Sequence, residues 1–410
     1  MAHVTFKRWC TLLMACAIWC ASGFTVLQAA DLTRASKAFT HLYRRMDAYR
    51  TGTTPRLIET FSAPYPPSTQ YRADVYANAL AILALVRRGT ATDIQRAKIL
   101  GNAIIYVQLI DPIGDGRVRD AYWATNLNSP TGGPSIFEPS SSCGDMAWAI
   151  IALVKLYNLD PAHHGAYLQA AVRLGNFLVK TYKSTQGYGG FIIGYLTDWS
   201  KPPLYLTLLR SKSVEENIDV YVAFKRLYYA TGDPKWNTSA AHAKEFVTTP
   251  AFYDTTGGHY WVGTVPSGSG DLVNTTPAQQ ALDANAYPIL IDLGSKSLAW
   301  VETRLKLTHH TYTGFDFNTD RDGVWFEGTA AMALVYAKLA KWTQYDNTLG
   351  PLRQHQDALA KAYPFAAGAL ASACHNGVST GLNWAYFLSP DIQATSWYIL
   401  AEYNAPPLKP

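Results

Sequence analysis

Helices of two kinds alternate along this chain, and that alternation restricts the fold more than any motif does. Residues 71–89, 143–159, 212–232, 277–294, 325–342 and 392–403 read as helices that are apolar nearly all round. Residues 31–50, 92–109, 161–182, 234–247, 297–307 and 348–362 carry their apolar side chains on one stripe. A helix apolar on every side is buried, whereas a one-stripe helix lies outside and covers a core. The inner-type starts recur at intervals of roughly 45 to 70 residues, with no Pro/Ser linker and no shift of composition between them. The pattern predicts an all-α fold, an (α/α)6 toroid of six helical hairpins, with six inner parallel helices and six outer helices. Residues 31–410 are expected to form this single domain.

Parallel inner helices gather their N-termini at one end of the barrel. The long loops rich in Gly and aromatic residues, carrying Tyr188, Tyr195 and Trp199 among others, precede inner helices and emerge at that end. The helix heads themselves are polar: Asp74, Tyr76 and Asn78; Asp145 and Trp148; Glu215, Glu216, Asn217 and Asp219; Asp283, Asn285 and Tyr287; Trp325 and Glu327; Gln393, Thr395 and Trp397. N-cap chemistry explains one acid or amide per helix, but not the aromatic ring beside it. The head of the third inner helix is the most acidic. Ser213 can cap it, Glu215, Glu216 and Asp219 crowd its first turns, and Gly232 stops it. Glu215 and Asp219 are four apart and share a face, an arrangement that stability alone disfavours.

Residues 1–30 have the form of a secretory signal peptide: a basic Lys7-Arg8, an apolar run from Cys10 to Val26, and small residues at Ala29-Ala30. A secreted or periplasmic protein is expected, with no membrane span after signal removal. Cleavage takes the formal charge from +5 to +3, too little and too dispersed for a nucleic-acid partner. Of five cysteines, Cys143 and Cys374 remain, and export permits a bond between them without establishing it. No metal or cofactor is expected. The adjacent pairs His163-His164 and His309-His310 suit a shared ion poorly. Asp316, Asp320 and Asp322 depart from the EF-hand pattern and read as a solvated acidic loop.

Sugars offer hydroxyl edges to carboxylates and amides, and C–H faces to Trp and Tyr. The chain holds 12 Trp and 26 Tyr against 15 Phe, so rings with a polar handle predominate. Glycoside hydrolysis needs two carboxyl groups, one protonated to release the leaving oxygen and one to activate water or attack. Crowded carboxylates supply the raised pKa of the acid. A carboxylate across the barrel mouth would leave room for water and favour inversion.

These same residues resemble the six-hairpin glycosidase superfamily. Ser213-Val-Glu-Glu-Asn-Ile-Asp-Val-Tyr221 is similar to the S-T-E-x-N-I-D-x-Y pattern of secreted members. Leu282-Asp-Ala-Asn285, Val324-Trp-Phe-Glu-Gly-Thr-Ala330 and Ala394-Thr-Ser-Trp-Tyr398 resemble the later helix heads, so the likeness spans the mature chain. The resemblance implies a secreted glycoside hydrolase acting on a polysaccharide or oligosaccharide, most simply as a monomer. It implies Glu215 as general acid, with Glu216 as runner-up, and Asp283 as base, followed by Glu327 and Asp145. Asp219, Asn217, Tyr221, Asn78, Asp74, Trp148, Asn285, Trp325 and Trp397 are the expected substrate ligands and stacking platforms. One position departs: Tyr76-Ala-Asn-Ala-Leu80 has Ala77 where members often carry Asp, which moves that role to Asp74 or Asp145 or reduces activity, and opens a second reading as a non-catalytic glycan-binding or assembly protein. A polysaccharide lyase on the same toroid is the third reading; it would recruit Arg72, His259, Tyr260 and Arg321.

Overall fold

The computed structural model describes residues 32–198, 205–268, 270–382 and 384–409. The signal-peptide reading and Trp199 therefore lie outside the described residues. Among the described residues there are twelve α-helices: α1 (Leu32–Met46), α2 (Val75–Arg88), α3 (Ala91–Leu109), α4 (Cys143–Tyr157), α5 (Gly165–Phe177), α6 (Val214–Thr231), α7 (Pro234–Thr248), α8 (Asp283–Leu290), α9 (Leu298–Arg304), α10 (Phe326–Lys338), α11 (Trp342–Ala362) and α12 (Ile392–Glu402). The even-numbered helices are the ones read as inner. They pack in a closed cycle, α2 on α4, α4 on α6, α6 on α8, α8 on α10, α10 on α12 and α12 back on α2. Each odd-numbered helix packs outside one of them, and α1 covers α12, so the first and last described helices meet.

Local chemistry sets the helix ends. In α6, Ser213 Oγ accepts from Glu216 N at 3.2 Å, and Gly232, at φ 70°, closes the other end by donating to Tyr228 O. A left-handed residue there costs glycine least. Thr90 and Asp93 form a reciprocal capping box on α3. The body of α2 from Ala77 to Val86 is buried on every face, as its composition requires.

Two parts of the helical reading need correction. The stretch 277–294 is not one helix: Pro277–Gln279 is a 3-10 turn, and α8 begins at Asp283 and ends at Leu290. Pro288 inside it has no N–H to donate to the preceding turn, and Asp292 at φ 66° reverses the chain. Likewise α9 stops at Arg304, because Lys306–His309 pairs antiparallel with Tyr312–Phe315. The fold is also not purely helical: seven two- or three-stranded antiparallel sheets lie among the described loop residues. Four of the seven contain a strand that runs directly into an inner helix; the strand ending at Asp74 and the one at Lys212–Ser213 are examples. Both described cysteines are free, Cys143 being wholly buried and Cys374 half-buried.

Candidate active site

A buried polar residue that bonds back to the carbonyl four positions earlier ties a loop to each of five inner helices. Asn78 Nδ2 donates to Asp74 O and to Ile58 O, while its Oδ1 accepts from Ile58 N at 2.8 Å. Asn217 does the same with Ser213 O and both backbone groups of Phe191, and Asn285 with Ala281 O and both groups of Tyr260. Thr329 and Thr395 take the equivalent place in α10 and α12, donating to Trp325 O and Asp391 O and accepting from Phe315 N and Leu370 N. Met146 stands at this position in α4 and offers no such bond. A side-chain amide that accepts and donates to one residue mimics a strand neighbour, so each loop is fixed where the helix begins. Asn78, Asn217 and Asn285, expected to bind substrate, are fully buried and hold loops; none lines the cavity.

The fixed heads surround a cavity of about 1400 Å³. Seven carboxyl groups line it, from all six inner-helix heads: Asp74, Asp145, Glu215, Glu216, Asp283, Glu327 and Asp391. All five residues read as catalytic are therefore brought together. Asp391 was missed: it caps α12 by accepting from Gln393 N at 2.7 Å, and the sequence reading began that helix one residue later. The acid before an apolar run was the available signal.

Helix N-termini favour anions, but desolvation outweighs them here. Burial, then the charge of Asp145, pushes the Glu215 carboxyl up to about 7. Glu215 accepts no hydrogen bond from any described residue and keeps partial exposure. Burial raises Asp145 to only about 6, because Ser142 Oγ at 2.6 Å and Tyr76 N at 3.0 Å donate to its two oxygens and favour the anion. Burial and the neighbouring Asp391 raise Glu327 to about 8, against the Tyr76 hydroxyl that donates to it at 2.5 Å. Burial, then Glu215 and Glu327, holds Asp283 well above the carboxylate range, and Glu216 is raised likewise by burial, Glu215 and Asp219. Asp283 Oδ1 and Glu216 Oε2 have no hydrogen-bond partner.

The two cations on the cavity wall are already paired: Arg72 with Asp74 at 2.7 Å, and Lys212 with Asp271 at 2.6 Å. The other residues of the lyase reading do not gather. His259 stacks on Trp300 at 4.6 Å between ring centroids, Tyr260 is buried beside it, and the exposed Arg321 donates to the carbonyls of Thr303 and Arg304. Ala77 is fully buried in the core and does not line the cavity.

Of the expected stacking platforms, Trp325 lines the cavity, stacked on Tyr386 at 5.1 Å. Trp148 and Trp397 lie beneath it as a buried floor, and Trp397 Nε1 donates to the Tyr76 hydroxyl at 2.8 Å. Trp148 hydrogen-bonds Asp219, which is buried one turn below Glu215 and is absent from the cavity wall. Tyr221 packs outward under Lys244, whose Nζ is 5.5 Å from the ring centre. The ring most open to a ligand is Trp384, half exposed and edge-on to Tyr386 at 4.8 Å. It belongs to an aromatic loop before an inner helix, a placement the sequence pattern carried without singling it out.

No protein-family model and no curated protein matches the chain. Solved structures do match its fold. A glycosidase variant in complex with glucose is 12% identical at TM-score 0.62, over 94% of this chain and all of that one. A glycoside hydrolase family 76 mannosidase from Bacteroides thetaiotaomicron is 13% identical at TM-score 0.54, over 91% of this chain and 97% of that one. A D-mannose isomerase is 12% identical at TM-score 0.59, over 92% of this chain and 98% of that one. The chain shares its fold with these glycosidases and this sugar isomerase over more than nine-tenths of its length.

Proposed function

We propose that this chain is a secreted (α/α)6-toroid glycoside hydrolase cleaving a neutral polysaccharide or oligosaccharide by an inverting, two-carboxylate mechanism. The observation that carries the reading is the ring of seven carboxyl groups, one or more from every inner helix, around one cavity rimmed by aromatic rings. Glu215 is the general acid: its proton is held near neutral pH, and no protein group competes for it. The base is Asp145 rather than Asp283. A base must be ionised, and of the five candidates Asp145 has the lowest pKa of those with a stated value, about 6, with two donors on its carboxylate. Two acids driven apart by their surroundings divide the roles. Asp283 and Glu327 keep their protons and donate to sugar hydroxyls, while Trp325, Tyr386 and Trp384 receive the apolar sugar face. An acidic wall whose cations are paired disfavours an anionic uronate, and with it the lyase reading.

The mature protein should be incubated with a panel of neutral and acidic glycans and the products weighed. Products that gain one water, released as the inverted anomer by proton NMR, are expected. Unsaturated products would overturn the reading in favour of elimination. A sugar converted without change of mass would overturn it in favour of isomerisation, which the fold's likeness to a D-mannose isomerase makes the second reading. Glycan bound without product would leave a binding protein.

A further inference from the structure

Residues far apart in sequence meet on the far side of the loop that carries Tyr386. His309 ends the strand Lys306–His309, whereas Cys374 and His375 follow the strand Leu370–Ala371. One ligand atom from each of the three lies within 4.8 Å of the others. Cys374 Sγ is 3.4 Å from His309 Nδ1, and the rings of His309 and His375 are 4.6 Å apart. The group is half-buried and held from behind. Val324 N donates to Cys374 Sγ at 3.1 Å, and Cys374 N to Val324 O at 3.0 Å. The chain at Gly323 presses so closely on His375 that a Cβ there would stand 2.8 Å from Nε2.

One carboxylate oxygen here is unsatisfied, and His375 meets a carbonyl acceptor at each of its ring nitrogens. His375 Nδ1 faces Asn376 O at 3.0 Å and Nε2 faces Asp322 O at 2.9 Å. A neutral imidazole has one N–H, so one of these nitrogens turns a lone pair toward an oxygen and gains nothing by it. Asp322 accepts from Ser379 N through Oδ2, while its buried Oδ1 has no partner. Its charge acts on both His309 and His375.

We propose that His309, Cys374 and His375 hold a zinc-type divalent cation, with the Asp322 carboxylate beside it. Imidazole and thiolate are the ligands this ion prefers, and one thiolate with one carboxylate balances its charge. On binding, Cys374 loses its thiol proton to solvent and the free imidazole lone pair gains its partner. A carbonyl on the second nitrogen is the usual support for a metal-bound histidine. The ion would pin the 306–315 hairpin to the 372–379 segment, whose Ser372 and Ser379 stand on the cavity wall. The neighbouring Asp316 is fully buried and Asp322 half-buried, so of the three acids expected in a solvated loop only Asp320 is exposed.

The reduced, chelator-treated mature protein should be titrated with Co2+ and Zn2+ and followed by absorbance and thermal melting. One equivalent of Co2+ is expected to give a thiolate charge-transfer band that Zn2+ abolishes, together with a rise in Tm. Cys374→Ser should lose the band, His375→Gln should lose or weaken it, and Asp322→Asn should weaken affinity about 10- to 100-fold, all with unchanged far-ultraviolet circular dichroism. No band in the parent protein, or a band that survives in Cys374→Ser, would overturn the proposal. So would a Tm raised by Ca2+ and not by Zn2+, which would point to the Asp316, Asp320 and Asp322 carboxyls instead.

Discussion

Glu215 differs from Asp145, Glu327 and Asp391 on the cavity wall in accepting no hydrogen bond from a described residue. Asp145, Glu327 and Asp391 each accept hydrogen bonds that fix their orientation, while Glu215 is left facing the cavity. Replacing it with glutamine keeps the shape and removes the transferable proton. Glu215→Gln is expected to lower kcat by about 10²- to 10⁴-fold and leave glycan affinity within a few-fold, read by steady-state kinetics and calorimetry. Turnover equal to the parent would remove Glu215 from the mechanism. The electrostatics make a second statement at this scale. With Asp145, the proposed base, near 6 and Glu215, the proposed acid, near 7, kcat/KM should rise through the first value and fall through the second, giving a narrow bell with its maximum between them. A profile flat from pH 5 to 8 would show that neither group titrates in the rate-limiting step.

At the scale of the element, the inner-helix head is a repeated device whose two halves were not equally legible. The caps and acids could be read because they obey local rules: Ser213 and Gly232 bound α6 as their chemistry demands. The alternation of buried and half-buried helices was legible for the same reason, since periodicity is local. The asparagines were misread as substrate ligands because their partners, Ile58, Phe191 and Tyr260, are 20, 26 and 25 residues away in the chain. Nothing within a helical turn distinguishes an amide that clamps a loop from one that faces a sugar. The metal-like cluster was invisible for the same reason, with His309 and Cys374 separated by 65 residues. The clamp predicts a measurable asymmetry. Asn217→Ala strips partners from both backbone groups of Phe191 inside the core and should cost about 2 to 3 kcal/mol in chemical denaturation. Asn237→Ala, which removes one exposed bond from Lys225, should cost less than about 0.5 kcal/mol. Equal losses would mean that the loop is held by something other than the amide.

For the whole molecule, the ring of acids makes stability depend on pH in an unusual direction. Glu215 and Asp391 are raised to about 7, and Glu327 and the buried Asp316 to about 8, in each case first by burial. A carboxyl whose folded pKa exceeds its unfolded value binds more protons in the folded state. Its contribution is present below the unfolded pKa, near 4, and is lost as pH rises through the folded one. The buried His41 and His355 act in the opposite sense: burial lowers both to about 3, so they stay neutral when folded and cost stability as pH falls below about 6.5. Above that pH the histidines are neutral in both states and the acids act alone. Tm should therefore fall between pH 6.5 and 8.5, by about 1.4 kcal/mol of stability per pH unit for each proton by which the folded state exceeds the unfolded. Replacing Glu327 with glutamine should flatten that fall, because the amide keeps the shape and has no proton to lose. A Tm that climbs over this range would mean that the acids are ionised in the folded protein and that Glu215 has no proton to give. A Tm that falls, in the absence of any glycan, would place the proton donor's chemistry in the resting fold rather than in the substrate complex.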